Sequence, residues 1–184
     1  NCSIRNSFSR GIRGCHWSTG GSARSYSIGE SKFIPQEKIL SIMKNILVLC
    51  TGNSCRSQIA EGFLRHYAGE KANVYSAGVE THGVNPRAIS IMNEVGIDLS
   101  NHTSNHVDEY TNIHFDFIIT VCDNAKERCP YFPSKAERFH YNFPDPAKAS
   151  GTEEAIMESF RSVRALIKAY CKDFTEQYIK KQQA

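Results

Sequence analysis

Long apolar runs are missing from this chain: its longest aliphatic stretch is Ile46 to Leu49, far short of the ~20 residues of a membrane-spanning helix. A surplus of one charge is missing too. Lys and Arg number 22 against 19 Asp and Glu, a net of +3, which argues against a nucleic-acid binder held by a broad basic face. There is no internal repeat, no collagen-like glycine period and no heptad pattern. The seven histidines form no spaced ligand cluster, so no metal centre is expected from them. What remains is globular: 40% hydrophobic and 22% charged residues over 184 positions. That length suits one domain and buries enough surface to fold without disulfides.

Composition changes near residue 42. Residues 1–42 hold six basic side chains against two acids, with nine Ser and five Gly and no periodicity. The remainder carries 16 basic and 17 acidic side chains, a net of −1. An Arg-rich, Ser-rich, acid-poor segment reads as an organelle transit peptide. Because the first methionine is Met43, it reads more simply as a non-native or translated upstream leader. Either way, 1–42 is expected to be disordered and outside the functional unit, 43–184. No secretory signal is evident, so a structural disulfide is not expected and the expected compartment is the cytoplasm.

From Met43 onward strand and helix signals alternate. Ile46 to Leu49 reads as a strand buried on both faces. Ile59, Ala60, Phe63, Leu64 and Tyr67 form a helical stripe that Gly69 can end. Val74 to Ala77 is a second strand. Asn85 and Pro86 predict a capped helix start, followed by the stripe Ala88, Ile89, Met92 and Val95. Phe115 to Val121 reads as a third strand and Arg138 to Tyr141 as a weaker fourth. Ser150 and Glu153 fit a capping box opening a long helix with Ile156, Phe160, Val163, Ile167, Tyr170 and Phe174 inward. The class is α/β with a parallel sheet.

The first strand runs into C-T-G-N-S-C-R-S, residues 50–57. A thiol and an arginine six positions apart are weak evidence alone, since Cys122 and Arg128 repeat the spacing. There, however, two acids and no glycine intervene, and such a segment repels anions. In the first loop Gly52 is expected to supply backbone angles closed to other residues, turning successive N–H groups inward around an oxyanion. The following helix aims its N-terminus at the same place, and Arg56 adds a planar fork for two oxygens. Thr51, Gly52, Asn53, Ser54, Cys55, Arg56 and Ser57 are therefore the candidate oxyanion-binding residues. The same features predict a depressed pKa and a nucleophilic Cys50. The competing reading is a buried, inert cysteine at a strand end. Asp145 is open to two readings, a general acid or a turn residue before Pro146.

Together with V-Y-S-A-G at 74–78, E-T-H-G-V-N-P at 80–86, V-G-I-D-L-S-N-H-T-S at 95–104 and D-P-A at 145–147, this loop resembles the low-molecular-weight protein tyrosine phosphatase family. The likeness spans nearly all of 43–184. Cys122 and Cys129, six residues apart and followed by Pro130, resemble the family's thioredoxin-coupled arsenate reductases. The resemblance implies a three-layer sandwich, a four-stranded parallel sheet flanked by helices. It also implies attack of Cys50 on arsenate with Asp145 as acid, then electron transfer from Cys122 and Cys129. Thioredoxin is the implied reductant, with glutaredoxin and glutathione as the alternative, and a monomer without cofactor is expected. If 123–128 is helical, the two cysteines lie roughly 10 Å apart along its axis, beyond the ~7 Å of a disulfide. The segment must then unwind during the cycle.

Some family members hold potassium at positions matching Asn53, Glu61 and Ser76. The fourth position is an Asp in the family and Asn105 here, which weakens attraction for a cation. Pro144 and Asp145 stand where the family has two acids, and Ala147 where its phosphatases have an aromatic. The alternatives are a phosphatase acting on phosphotyrosine or small esters, and a non-catalytic thiol protein that chelates arsenite or senses oxidants. Six-residue spacing does not suit a zinc knuckle at Cys122 and Cys129. Cys55 and Cys171 are expected to be packing residues, Cys2 and Cys15 belong to the leader, and His140 and Tyr141 either line the entrance near Asp145 or stand at the surface.

Overall fold

The computed structural model describes residues 43–123 and 135–181. The expectations for 1–42, and for Cys129 and the helix after Asp123, lie outside the described residues. Strand β1 (Lys44–Cys50) is buried from Ile46 to Cys50. Its side chains alternate between two cores: Ile46, Val48 and Cys50 enter one apolar cluster, Leu47 and Leu49 the other. β2 (Ala72–Gly78), β3 (Phe117–Thr120) and β4 (Glu137–His140) complete a sheet of order β2-β1-β3-β4, parallel throughout. Cys50 pairs with Gly78, and Val121 N donates to Leu49 O over 2.9 Å. Cys50, Gly78 and Cys122 therefore meet at one end of the sheet, the C-terminal end where parallel sheets place their sites.

Helices α1 (Arg56–Ala68), α2 (Pro86–Asn93) and α3 (Glu153–Phe174) follow, and α3 continues as a wider π-helical turn, Thr175–Lys180. Ile59, Phe63 and Leu64 of α1 and Phe160, Val163 and Ile167 of α3 share the cluster of Ile46 and Val48. Among the described residues, the opposite face is covered by the turn Val107–Tyr110 and by Phe115. Tyr75 of β2 packs against Tyr110 and Phe115 there, at ring separations of 5.4 and 5.7 Å. No described helix is long and apolar enough to cross a membrane.

Several expected details differ. Asn85 caps α2, accepting from Arg87 N over 2.9 Å, but the helix buries Ala88, Ile91 and Met92. Val95 lies past its end and is 39% exposed. Phe115 is buried but precedes β3. The cap of α3 is Thr152, whose hydroxyl accepts from Ala155 N over 3.3 Å. Ser150 cannot serve, because Gly151 at φ +119° turns the chain between it and the helix. Cys171 is fully buried while Tyr170 is only partly so, and the stripe is shifted accordingly.

The two candidate caps are separable by mutation. Thr152→Ala is expected to cost about 1 kcal/mol and Ser150→Ala to leave stability unchanged, read as midpoint shifts in urea.

Candidate active site

The segment between β1 and α1 is shaped by where its carbonyls go. Thr51 O accepts from Glu80 N, Gly52 O from His82 N and Ser54 O from Asn85 N, at 2.9 to 3.1 Å. Asn53 O accepts from Gln58 Nε2 at 3.1 Å, and Cys55 O from Ile59 N at 2.9 Å. A trans peptide points its N–H opposite to its C=O. Tying the carbonyls outward therefore turns the N–H groups toward the inner side of the loop, a nest for an oxyanion.

The backbone that permits this differs from expectation. The left-handed residue is Asn53, at φ +43°, and Gly52 is not left-handed. Gly52 instead leaves room for a neighbour: a Cβ there would meet the His82 ring at 2.5 Å. Gly78 has the same role, since a Cβ would meet Thr51 O at 2.7 Å and Asn53 N at 2.8 Å. Asn tolerates φ > 0 better than most residues, particularly when its amide is hydrogen-bonded locally.

Asn53 is fully buried and its amide is saturated. Its Nδ2 donates to Ser57 Oγ (3.0 Å) and Ser76 Oγ (2.8 Å), while its Oδ1 accepts from Asn105 N (2.8 Å) and Gln58 Nε2 (3.1 Å). Ser76 Oγ donates to Glu61 Oε2 at 2.5 Å, and the other Glu61 oxygen pairs with Arg65 at 2.6 Å. Gln58 Oε1 meets His102 Nδ1 at 2.9 Å, and burial holds the His102 pKa below its ordinary value. The potassium positions do not fit the ion. Asn53 presents a donor where a cation needs oxygen, and Glu61 already has a cationic partner. The Asn105 side chain turns away to Thr103 and Glu109, at 2.6 and 2.9 Å. The Asn53 and Ser57 side chains thus brace the loop from beneath.

Above the loop lies a cleft of about 620 Å³, lined by Cys50, Thr51, Gly52, Ser54, Cys55 and Arg56 and also by His82, Cys122, Asn142 and Asp145. Arg56 opens α1 and crosses to the chain after β4. Its two terminal nitrogens donate to Phe143 O and to Asp145 Oδ2, both at 3.0 Å, and its buried Nε has no protein acceptor. An unpaired guanidinium N–H at an anion nest is a donor available to a ligand. Of the two readings of Asp145, the turn is present: its Oδ1 accepts from Ala147 N at 3.2 Å and starts the turn Pro146–Lys148, while its other oxygen faces the cleft on Arg56.

Cys122 Sγ lies 3.9 Å from Cys50 Sγ and 3.3 Å from Thr51 Oγ1. This proximity overturns the expected depression of the Cys50 pKa. Hydrogen bonding with Cys122 pushes Cys50 well above the ordinary thiol range, reinforced by burial and by the Cys122 charge. The Arg56 guanidinium and the Thr51 backbone oppose the rise without cancelling it. Cys55 is pushed up to about 11, chiefly by burial and next by Asp145, and packs in the core as expected. Cys171 is fully buried and raised by desolvation alone. Tyr141 is exposed and lies against Phe143 in a tilted ring pair at 4.4 Å, and His140 pairs with Asp123; neither lines the cleft. His82, Asn142 and the Phe143 carbonyl escaped sequence reasoning. Only the E-T-H-G-V-N-P motif hinted at His82.

Comparison with known proteins agrees with this geometry. Residues 45–184 match the family model "Low molecular weight phosphotyrosine protein phosphatase". The chain is 51% identical over 135 residues to the arsenate reductase of Shouchella clausii, covering 72% of this chain and 96% of that protein. It is 48% identical over 133 residues to the arsenate reductase of Bacillus subtilis, with the same coverage. A solved arsenate reductase in the phosphate-binding state superposes with a TM-score of 0.64 at 32% identity, covering 73% of this chain and 98% of that one. With its parallel sheet, its anion nest and its Cys50–Arg56 pair, this chain belongs to the low-molecular-weight phosphotyrosine protein phosphatase family.

Proposed function

We propose that the protein reduces arsenate to arsenite through a three-cysteine relay. The observation that carries this reading is the 3.9 Å approach of Cys122 to Cys50 inside one cleft. A phosphatase needs the nest, Arg56, Cys50 and an acid; it has no use for a second thiol aimed at the first. The relatives at about half identity, named arsenate reductases, point the same way.

Arsenate is a tetrahedral oxyanion like phosphate and enters the nest, where Arg56 exchanges its contact with Asp145 for the anion. The Cys50 sulfur attacks arsenic, an S–As bond forms, and Asp145 protonates the oxygen that leaves as water. Cys122, as thiolate, attacks Cys50 Sγ. An S–S bond forms, the S–As bond breaks, and its electron pair stays with arsenic, which departs as arsenite. Cys129 then attacks Cys122 Sγ, frees Cys50 and leaves a Cys122–Cys129 disulfide. A thioredoxin dithiol returns two electrons by exchange. In this scheme the Cys50–Cys122 pair shares its protons in the resting cleft, and the first thiolate formed draws support from Arg56 and the loop N–H groups.

Arsenate reduction with thioredoxin, thioredoxin reductase and a nicotinamide electron source tests the reading. Wild type is expected to turn over, and Cys129→Ser to release one arsenite per chain and stop. Multiple turnovers by that variant without added thiol would exclude the relay. Success with glutaredoxin and glutathione alone would change only the partner. Arg56→Lys is expected to lose about a hundredfold in kcat/KM, whereas a passive thiol chelator would be indifferent to it. Cys122→Ala removes the main cause of the raised Cys50 pKa. The pH midpoint of Cys50 alkylation by iodoacetamide should fall by about one unit or more; an unmoved midpoint would contradict the coupling.

A further inference from the structure

At the C-terminal ends of β3 and β4 a second polar cluster has no part in the chemistry above. Asp123 directly follows Cys122, and both oxygens of its carboxylate are held. His140 Nε2 meets Oδ1 at 3.0 Å, and Asn142 Nδ2 donates to Oδ2. His140 is anchored at its other nitrogen by Thr120 Oγ1, 2.8 Å away. The Asp123 side chain is 60% exposed, so an ion pair there adds little stability. Two directed bonds on one carboxylate do fix its position.

That position matters because strand β3 ends at Thr120, three residues before it. Val121 is tied on both sides, donating to Leu49 O at 2.9 Å and accepting from Phe143 N at 3.4 Å. Cys122 lies one residue beyond: its sulfur meets Thr51 Oγ1 at 3.3 Å, and its backbone runs directly into the clasped residue 123.

We propose that Asp123 is a positioning residue: clasped by His140 and Asn142, it holds the Cys122 sulfur against Cys50 for formation of the S–S bond that expels arsenic. The inference rests on the relay reading for its consequence in catalysis. The clasping segment continues into Phe143 and Asp145, both bonded to Arg56 at 3.0 Å. One short stretch of chain thus aligns the attacking sulfur and the anion clamp together.

Asp123→Ala and Asp123→Asn separate position from charge. Asn keeps an oxygen for His140, and Asn142 can turn its amide to complete the pair. In Asp123→Ala, the Cys50 alkylation midpoint is expected to move down toward that of Cys122→Ala. Its kcat for arsenate should fall about ten- to a hundredfold with KM little changed. Asp123→Asn should keep the wild-type midpoint and most of kcat. A midpoint and kcat unmoved by Asp123→Ala would overturn the proposal. An equal midpoint shift in both variants would assign the effect to charge and overturn it as well, and a loss of kcat with an unmoved midpoint would reduce Asp123 to a structural residue. If wild type itself fails to reduce arsenate, the relay falls while the alkylation midpoints still decide the clasp.

Discussion

The left-handed turn at Asn53 is the constraint from which the site follows. A non-glycine residue at φ +43° is uncommon and costs energy unless its surroundings hold it there. Here the holding is complete. The buried amide makes four hydrogen bonds with Ser57, Ser76, Gln58 and the Asn105 backbone. Two of those partners extend the network to Glu61 and His102. With the turn held, carbonyls 51, 52 and 54 meet the backbone of 80–85, and the opposite N–H groups face inward. An anion nest is a preorganised set of dipoles, and the buried network supplies its rigidity.

The cleft above that nest is balanced between charges of opposite sign. Arg56 carries the permanent positive charge and in the resting state spends two of its nitrogens on Asp145 and Phe143 O. The two sulfurs bring the potential negative charge, and their closeness makes them compete for it. Cys50 is therefore raised by the neighbour that the proposed chemistry requires. A lone catalytic thiol beside an arginine would be depressed. A thiol paired with a second thiol gains a resolving partner and loses part of that acidity. The cost and the use of the arrangement come from the same 3.9 Å contact.

Much of the fold was legible because its signals are local. The aliphatic run at Ile46–Leu49, the alternation of strand and helix, and the Asn85–Pro86 helix start each declare themselves within a few residues, and each is present. The misreadings share one cause: a choice between neighbouring residues made by contacts distant in sequence. Gly52 was expected to hold the unusual backbone angles, but the network beneath selects Asn53 for them. Ser150 had the right chemistry for a cap, but Gly151 redirects the chain and leaves Thr152 in place. The Asn105 side chain, matched by position to an ion ligand, is drawn to Glu109 at the surface.

By itself the sequence determined the class of fold and the types of group available: a thiol and an arginine around a turn, two further cysteines and an acid before a proline. These are properties of composition and short-range spacing, which survive without knowledge of the packed chain. Only the tertiary structure decided which sulfur stands beside which, that Cys50 is raised instead of lowered, and that Asp123 is held by one side chain from the end of β4 and one from just after it. The physical reason is that protonation and alignment depend on distance and burial. Both are settled when the parallel strands bring residues some seventy positions apart into contact at one end of the sheet.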